Sequence, residues 1–314
     1  MTCHNCKSQA QKHGKDRKGN QRFKCQQCSK TFGAPQEKPL DTMYLPIEKA
    51  EMVLRLLLEG NSVSSVERAT AVHHTTILKL LCFAGEKCER IMAEKVRNVE
   101  VRDVECDEVW SFIGKKQKRV RPADSALLGD CYVWVGIERH SKLVLNITMG
   151  KRDQRTCDVF VEGLRHATAR TPFQITTDGF APYRSAITTT LHDRLTGFAQ
   201  LIKVYRSSQE GEARYSPAEV ASTEVVPIMG QPDPERICTS IVERSNLSLR
   251  MGQRRFTRLT NAFSKRWENH WAAVILWYTW YNFGRVHKSL RCTPAMEAGI
   301  SDHVWSVREL LEAA

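Results

Sequence analysis

The spacing of apolar positions divides the chain into stretches of different period. From residue 46 to 96 they recur every three or four positions, as on a helix with one buried face. Ile47, Ala50, Met52, Val53, Leu54, Leu56, Leu57 and Leu58 form a wide stripe that predicts a helix over 47–58. Gly60-Asn61 stops it, and Ser62 is placed to cap a short second helix over 63–69. Thr70-Ala71-Val72 makes a turn, and a third helix is expected from about His73 to Phe83. From 101 to 206 short β-rich runs alternate with helical stretches. Strands are expected at 101–113, 131–138, 143–149 and 173–177, with a helix around 153–169. Such alternation argues an α/β core. A largely polar segment, 207–236, carries four prolines and reads as an insertion, after which helical spacing resumes to about 284.

Residues 1–33 have neither period and too few large apolar side chains for a core, and a proline-marked linker (34–40) follows them. What they do have is Cys3-x-x-Cys6 and, after 18 residues, Cys25-x-x-Cys28. Two such pairs fit a four-thiolate tetrahedral zinc site, so one structural Zn²⁺ would hold this module folded. The other seven cysteines are scattered singly, which suits a reducing compartment, and Met1 leads straight into the Cys motif, so no secretory leader is expected.

Lys+Arg exceed Asp+Glu by 47 to 35, a net charge of +12. That excess favours a polyanionic partner. No apolar run reaches the roughly 18 residues of a membrane span, which leaves nucleic acid. The basic residues cluster accordingly. The first module holds eight, among them Lys15, Arg17, Lys18 and Lys24, against the single acid Asp16. The order of long helix, break, short helix, tight turn and helix over 41–97 resembles a helix-turn-helix reader, with His73, His74, Thr75, Thr76 and Lys79 able to reach base edges. From Arg244 to Arg291 ten Lys/Arg, including Arg250, Arg254 and Arg255, face one acid, Glu268.

Acids stand out against this field. In Val101–Ile113 alternation puts Glu105 and Asp107 on one side and Glu108 on the other, and a mid-strand carboxylate is costly unless it is hydrogen-bonded or binds a cation. Asp178 follows the strand 173–177, at a strand's C-terminal end, where α/β proteins place ligand sites. Glu243 lies in a helical stretch, with Arg250 two turns farther on the same face. His270 and His287 read as structural, and the run Trp267, Trp271, Trp277, Trp280, Tyr281 as core.

The blocks Cys106-Asp107-Glu108-Val109-Trp110 through Gly114-Lys115-Lys116, Thr177-Asp178-Gly179 through Pro182-Tyr183, and Ile241-Val242-Glu243-Arg244-Ser245-Asn246 with Leu249-Arg250 resemble the DDE core of bacterial insertion-sequence transposases of the IS-one family. Asn261–Lys265 and the two N-terminal modules resemble further parts of that family, although many members split the halves between reading frames. The resemblance implies a ribonuclease-H-like catalytic domain over 101–300, preceded by a zinc ribbon (1–33) and a helix-turn-helix module. It implies Asp107, Asp178 and Glu243 as catalytic triad and ligands of two Mg²⁺ (or Mn²⁺) ions. It also implies double-stranded DNA as partner, a homodimer or higher oligomer on DNA, and a cytoplasmic, nucleoid-associated location. The activity implied is cleavage at the element's ends and joining of the 3′-OH to target DNA. A DNA-binding regulator descended from such an enzyme and a structure-specific nuclease on the same fold are the rival readings.

Overall fold

The computed structural model describes residues 1–17, 19–33, 40, 43–205, 220–257 and 260–313; Lys18, the linker residues 34–39 and residues 206–219 of the expected insertion lie outside them. The chain forms two compact units, Met1–Tyr44 and Leu45–Ala314.

In the first unit β1 (Ala10–Lys15), β2 (Gln21–Cys25) and β3 (Thr31–Gly33) make an antiparallel sheet in that order. Each Cys pair ends on a residue with left-handed backbone, Lys7 (φ 57°) and Ser29 (φ 55°), so the two pairs make matching tight turns that aim both sulfurs inward. Cys3 and Cys25 are buried.

The second unit opens with α1 (Ile47–Leu58), α2 (Val63–Thr70) and α3 (His74–Lys95). Gly60 (φ 79°) ends α1, and the Ser62 hydroxyl accepts the Ser65 N–H to cap α2, as expected. The third helix is twelve residues longer than the spacing up to Phe83 suggests. Ala84, Cys88, Ile91 and Met92 continue its buried face, and Gly85 does not break it because that glycine is a contact point. A Cβ there would stand 2.7 Å from Ala272 Cα. Ala272 belongs to α7 (Trp267–Phe283), a helix buried nearly all round, with Trp277, Tyr278 and Phe283 inaccessible to solvent.

The sheet runs in the order β6 (Val144–Gly150), β5 (Gly129–Glu138), β4 (Asp103–Ile113), β7 (Phe173–Thr177), β8 (Leu195–Tyr205), β9 (Val220–Gly230). The first three form an antiparallel meander; β4–β7 and β7–β8 are parallel, joined through α4 (Gln154–Ala167) and α5 (Pro182–Thr190). This mixed sheet with helices on it fits a ribonuclease-H-like core. The described part of the expected insertion, 220–236, is mostly β9, which pairs antiparallel with β8 as an edge strand. Edge placement explains the polar sequence, since most of its residues are exposed.

Alternation along β4 sends side chains to two layers. Trp134, Phe160, Phe180 and Tyr183 pack as an aromatic cluster where α4 and α5 cover the sheet. On the opposite side lies α6 (Ser240–Gly252), packed on β4 and β5. Asn282 of α7 clasps the edge strand β6, donating to Val144 O (2.8 Å) and accepting Val144 N–H (2.9 Å). The four-residue helix α8 (Pro294–Glu297) and α9 (Val307–Glu312) close the unit. No helix among the described residues is long and apolar enough to cross a membrane.

Candidate active site

The site forms where β7 stops. Its last residue, Thr177, pairs with Cys106, so Asp178 emerges beside Asp107 and Glu108 just beyond the ladder. With no strand between, oxygens from both faces of β4 reach the same gap. One carboxylate oxygen each of Asp107, Glu108 and Asp178 lie within 4.8 Å of one another. Glu108 is on the face of β4 opposite Asp107, as the alternation has it, and it joins the cluster because no strand separates the two faces past the end of β7.

Burial raises these acids. It pushes Asp107 up to about 6, with the Asp178 charge adding, against the Glu108 N–H and the Asn246 amide. Glu108 goes to about 7, again by burial first and Asp178 second. Asn246 Nδ2 donates to Asp107 Oδ2 at 2.8 Å. Arg152 bridges the other two, Nε to Glu108 and Nη2 to Asp178, both at 3.1 Å, and lies 3.9 Å over the Phe180 ring. Phe180 N–H donates to Asp178 Oδ1 at 2.9 Å. Arg152 gave no sequence signal, being one of many bases, whereas Asn246 stands in the motif block that holds Glu243, which assigns it no role.

Glu243 stands in the first turn of α6 and is exposed. It is not among the three clustered acids, although its charge acts on Asp107. Lys203 of β8 pairs with its Oε1, and Thr239 Oγ1 donates to the same oxygen at 2.7 Å. The helix bearing it is pinned to β4 by Glu105, whose buried Oε2 accepts the N–H groups of Ile241 (2.8 Å) and Val242 (2.9 Å). Helix N-termini leave such donors free, and a carboxylate there also meets the positive end of the helix dipole. Burial nevertheless raises Glu105 to about 7.

An all-oxygen set of acids suits a hard divalent cation such as Mg²⁺ or Mn²⁺. The geometry favours that fit: three carboxylates face one another within 4.8 Å, and burial raises Asp107 and Glu108, a crowding of acids that a divalent cation would relieve. The four thiols fit a softer ion. Their sulfurs lie within 4.8 Å of one another, with Cys3–Cys28 at 3.6 Å and Cys6–Cys25 at 3.3 Å. A tetrahedron of Zn–S bonds near 2.3 Å has edges of roughly 3.8 Å. The Ser8 N–H, then the Cys25 thiol, hold Cys6 down to about 6.

The expected DNA contacts fall as follows. Lys15, Arg17 and Lys24 are exposed on the first unit. His74, Thr75 and Lys79 are exposed on the first turns of α3. Arg254 is exposed, Arg255 half-buried, and Arg250 half-buried near the end of α6.

Comparison with known families bears on the central part of this arrangement. Residues 129–217, from β5 through β8 with Asp178 inside, match the DDE domain of the IS240-type transposases. Over these residues the chain is similar to a transposase DDE domain. The match supports a metal-dependent, DNA-cleaving enzyme, and insertion-sequence DDE transposases are what this stretch resembles. The domain match brackets Arg152 and Lys203 as well, and stops short of Asp107 and Glu243. No curated protein sequence matches the chain. Solved structures resembling this chain include a piggyBac transposase synaptic complex with hairpin DNA (10% identity, TM-score 0.36, covering 86% of this chain and 72% of that one). Another is a Mos1 transposase paired-end complex (14%, 0.20, 51% and 59%), and a third the Mos1 strand transfer complex (13%, 0.21, 79% and 78%).

Proposed function

We propose that the chain is the transposase of a bacterial insertion sequence, cutting DNA at the element's ends and joining the 3′-OH to target DNA. The carrying observation is the convergence of Asp107 and Asp178 at the end of β7, with Glu243 delivered from α6 by the Glu105 anchor. In this reading Asp107, Asp178 and Glu243 hold the divalent ions. Two such ions supply an activated oxygen nucleophile and neutralise the charge on the leaving oxygen. Asn246 fixes the Asp107 carboxylate, and Arg152 balances the charge of Glu108 and Asp178. Lys203 and Thr239 hold Glu243 beside the cluster.

The four-cysteine module is proposed as a zinc ribbon whose exposed Lys15, Arg17 and Lys24 meet phosphates, with α2 and α3 as a helix-turn-helix presenting His74, Thr75 and Lys79 to base edges. The IS-one likeness rests on the motif blocks, whereas the matched family model is of the IS240 type. A dimer or higher oligomer would synapse the two ends, and a cytoplasmic place at the nucleoid would suit a reduced Cys₄ site.

Asp178→Asn tests the proposal. With Mg²⁺ and an oligonucleotide carrying an element end, cleavage is expected to fall by at least about a thousandfold, with the circular dichroism melt unchanged. Cleavage near the wild-type rate in this variant would sink the assignment.

A further inference from the structure

Between α2 and the N-terminal half of α3 on one side and residues 253–255 and 261–266 on the other lies a cleft of about 940 Å³. Its charged lining is one-sided. Among the described residues Lys79, Arg254, Arg255, Lys265 and Arg266 stand against a single acid, Glu67. One of these cations differs from the rest. Arg255 is half-buried with its Nη2 closed off from solvent, burial lowers its guanidinium to about 10, and among the described residues that nitrogen has no hydrogen-bond partner. Guanidinium groups out of water are otherwise paired, because an unpartnered charged donor is costly.

The rest of the guanidinium is firmly placed. Arg255 Nη1 donates to Ser264 Oγ (2.8 Å), Ser264 Oγ meets His270 Nδ1 (2.8 Å), His270 Nε2 meets Ser111 Oγ (2.9 Å), and Ser111 Oγ donates to Cys131 O (3.0 Å). Only one direction satisfies every group. Ser111 spends its proton on the carbonyl, so it accepts from His270 Nε2–H. His270 Nδ1 then accepts from Ser264, whose oxygen takes the Arg255 proton. The chain requires a neutral imidazole, and burial holds His270 down to about 3. Ser111 lies on β4, on the same face as Asp107. Arg255 is thereby tied to the strand that carries the first acid of the site.

We propose that this cleft seats the sugar-phosphate backbone of double-stranded DNA, and that Arg255 Nη2 takes a phosphate oxygen at a fixed place relative to β4. A lone phosphate ion would leave most of 940 Å³ empty, whereas a phosphodiester strand presents charge repeatedly to the cations on both walls. The inference rests on the DNA-cleaving reading of the chain and adds to it a site that orients the substrate.

The test is duplex binding by the full zinc-loaded chain without added Mg²⁺, read by fluorescence anisotropy across a KCl series. Arg255→Met is expected to weaken binding about tenfold at low salt, and to reduce the slope of log K against log [salt] by about 0.9. Unchanged affinity and slope would overturn the socket. Where Arg255→Met does not fold by circular dichroism, Arg255→Lys decides. It keeps the charge but not the planar fork, so the slope should hold while affinity drops about tenfold, and wild-type affinity overturns the socket. Inorganic pyrophosphate separates the two sources of phosphate. If it stabilises the wild type thermally while Arg255→Met binds duplex normally, the site takes small anions and the DNA assignment is wrong. A wild-type chain that binds no duplex overturns the DNA-cleaving reading along with the socket.

Discussion

Asp107, Glu108 and Glu105 are acids that folding has taken out of water without a full set of partners. Their ionisation moves up to about 6, 7 and 7, with burial the largest cause for each. A carboxyl raised in the folded state binds its proton there more tightly than in the unfolded chain. Its contribution to stability is therefore complete below the ordinary carboxylate range and is lost as pH rises through 6 to 7. His270, held down to about 3, works the other way, its contribution being lost as pH falls below its ordinary 6.5. Three carboxyls outweigh two imidazoles, burial holding His287 down to about 4 as well, and well above pH 6.5 the histidine contribution is constant. The melting temperature without Mg²⁺ should accordingly fall between about pH 5.5 and 8. Mg²⁺ should restore more of it at the upper end, where no proton competes for the oxygens. Differential scanning fluorimetry of the zinc-loaded chain without and with Mg²⁺ checks both, and an equal Mg²⁺ effect at the two pH values would count against metal binding at Asp107.

At the level of elements, the anchoring of α6 decides where Glu243 stands. Glu105→Ala strips the Ile241 and Val242 N–H groups of their acceptor. It should cost about 1–3 kcal/mol of stability, read from urea melts, and slow cleavage through the displaced helix. A variant with wild-type stability would show that the anchor is dispensable. The same contact marks the limit of what the sequence could reveal. Strand alternation correctly put Glu105 and Asp107 on one side of β4, because side-chain period is a local property. It could not reveal that Glu105 reaches across to a helix 136 residues later. Nor could it show that β7 ends opposite Cys106 and so admits Glu108 to the cluster. The length of α3 was hidden for a related reason: Gly85 reads locally as a stop, and only the close approach of Ala272 explains why it sits mid-helix. β9 was missed because an edge strand exposed along most of its length has no apolar alternation to betray it.

Across the whole molecule, charge and chemistry are arranged as a DNA-cutting enzyme needs: a few acids in one gap, bases elsewhere. That division was legible from the sequence, since it depends on which residues are present more than on how they pack. The two Cys pairs were legible for the same reason, and their sulfurs do come together. Which acids form the working set is less plain. The geometry groups Asp107, Glu108 and Asp178, whereas the motif blocks name Glu243 as the third. The account reconciles them by giving Glu108 to Arg152 and Glu243 to the ions, with Lys203 holding Glu243 in place. Cleavage of an end-bearing duplex by Glu243→Gln in Mg²⁺ tests this most directly. The account predicts loss of at least about a thousandfold with an unchanged melting curve. Cleavage at the wild-type rate would contradict it, and would move the third ligand to Glu108.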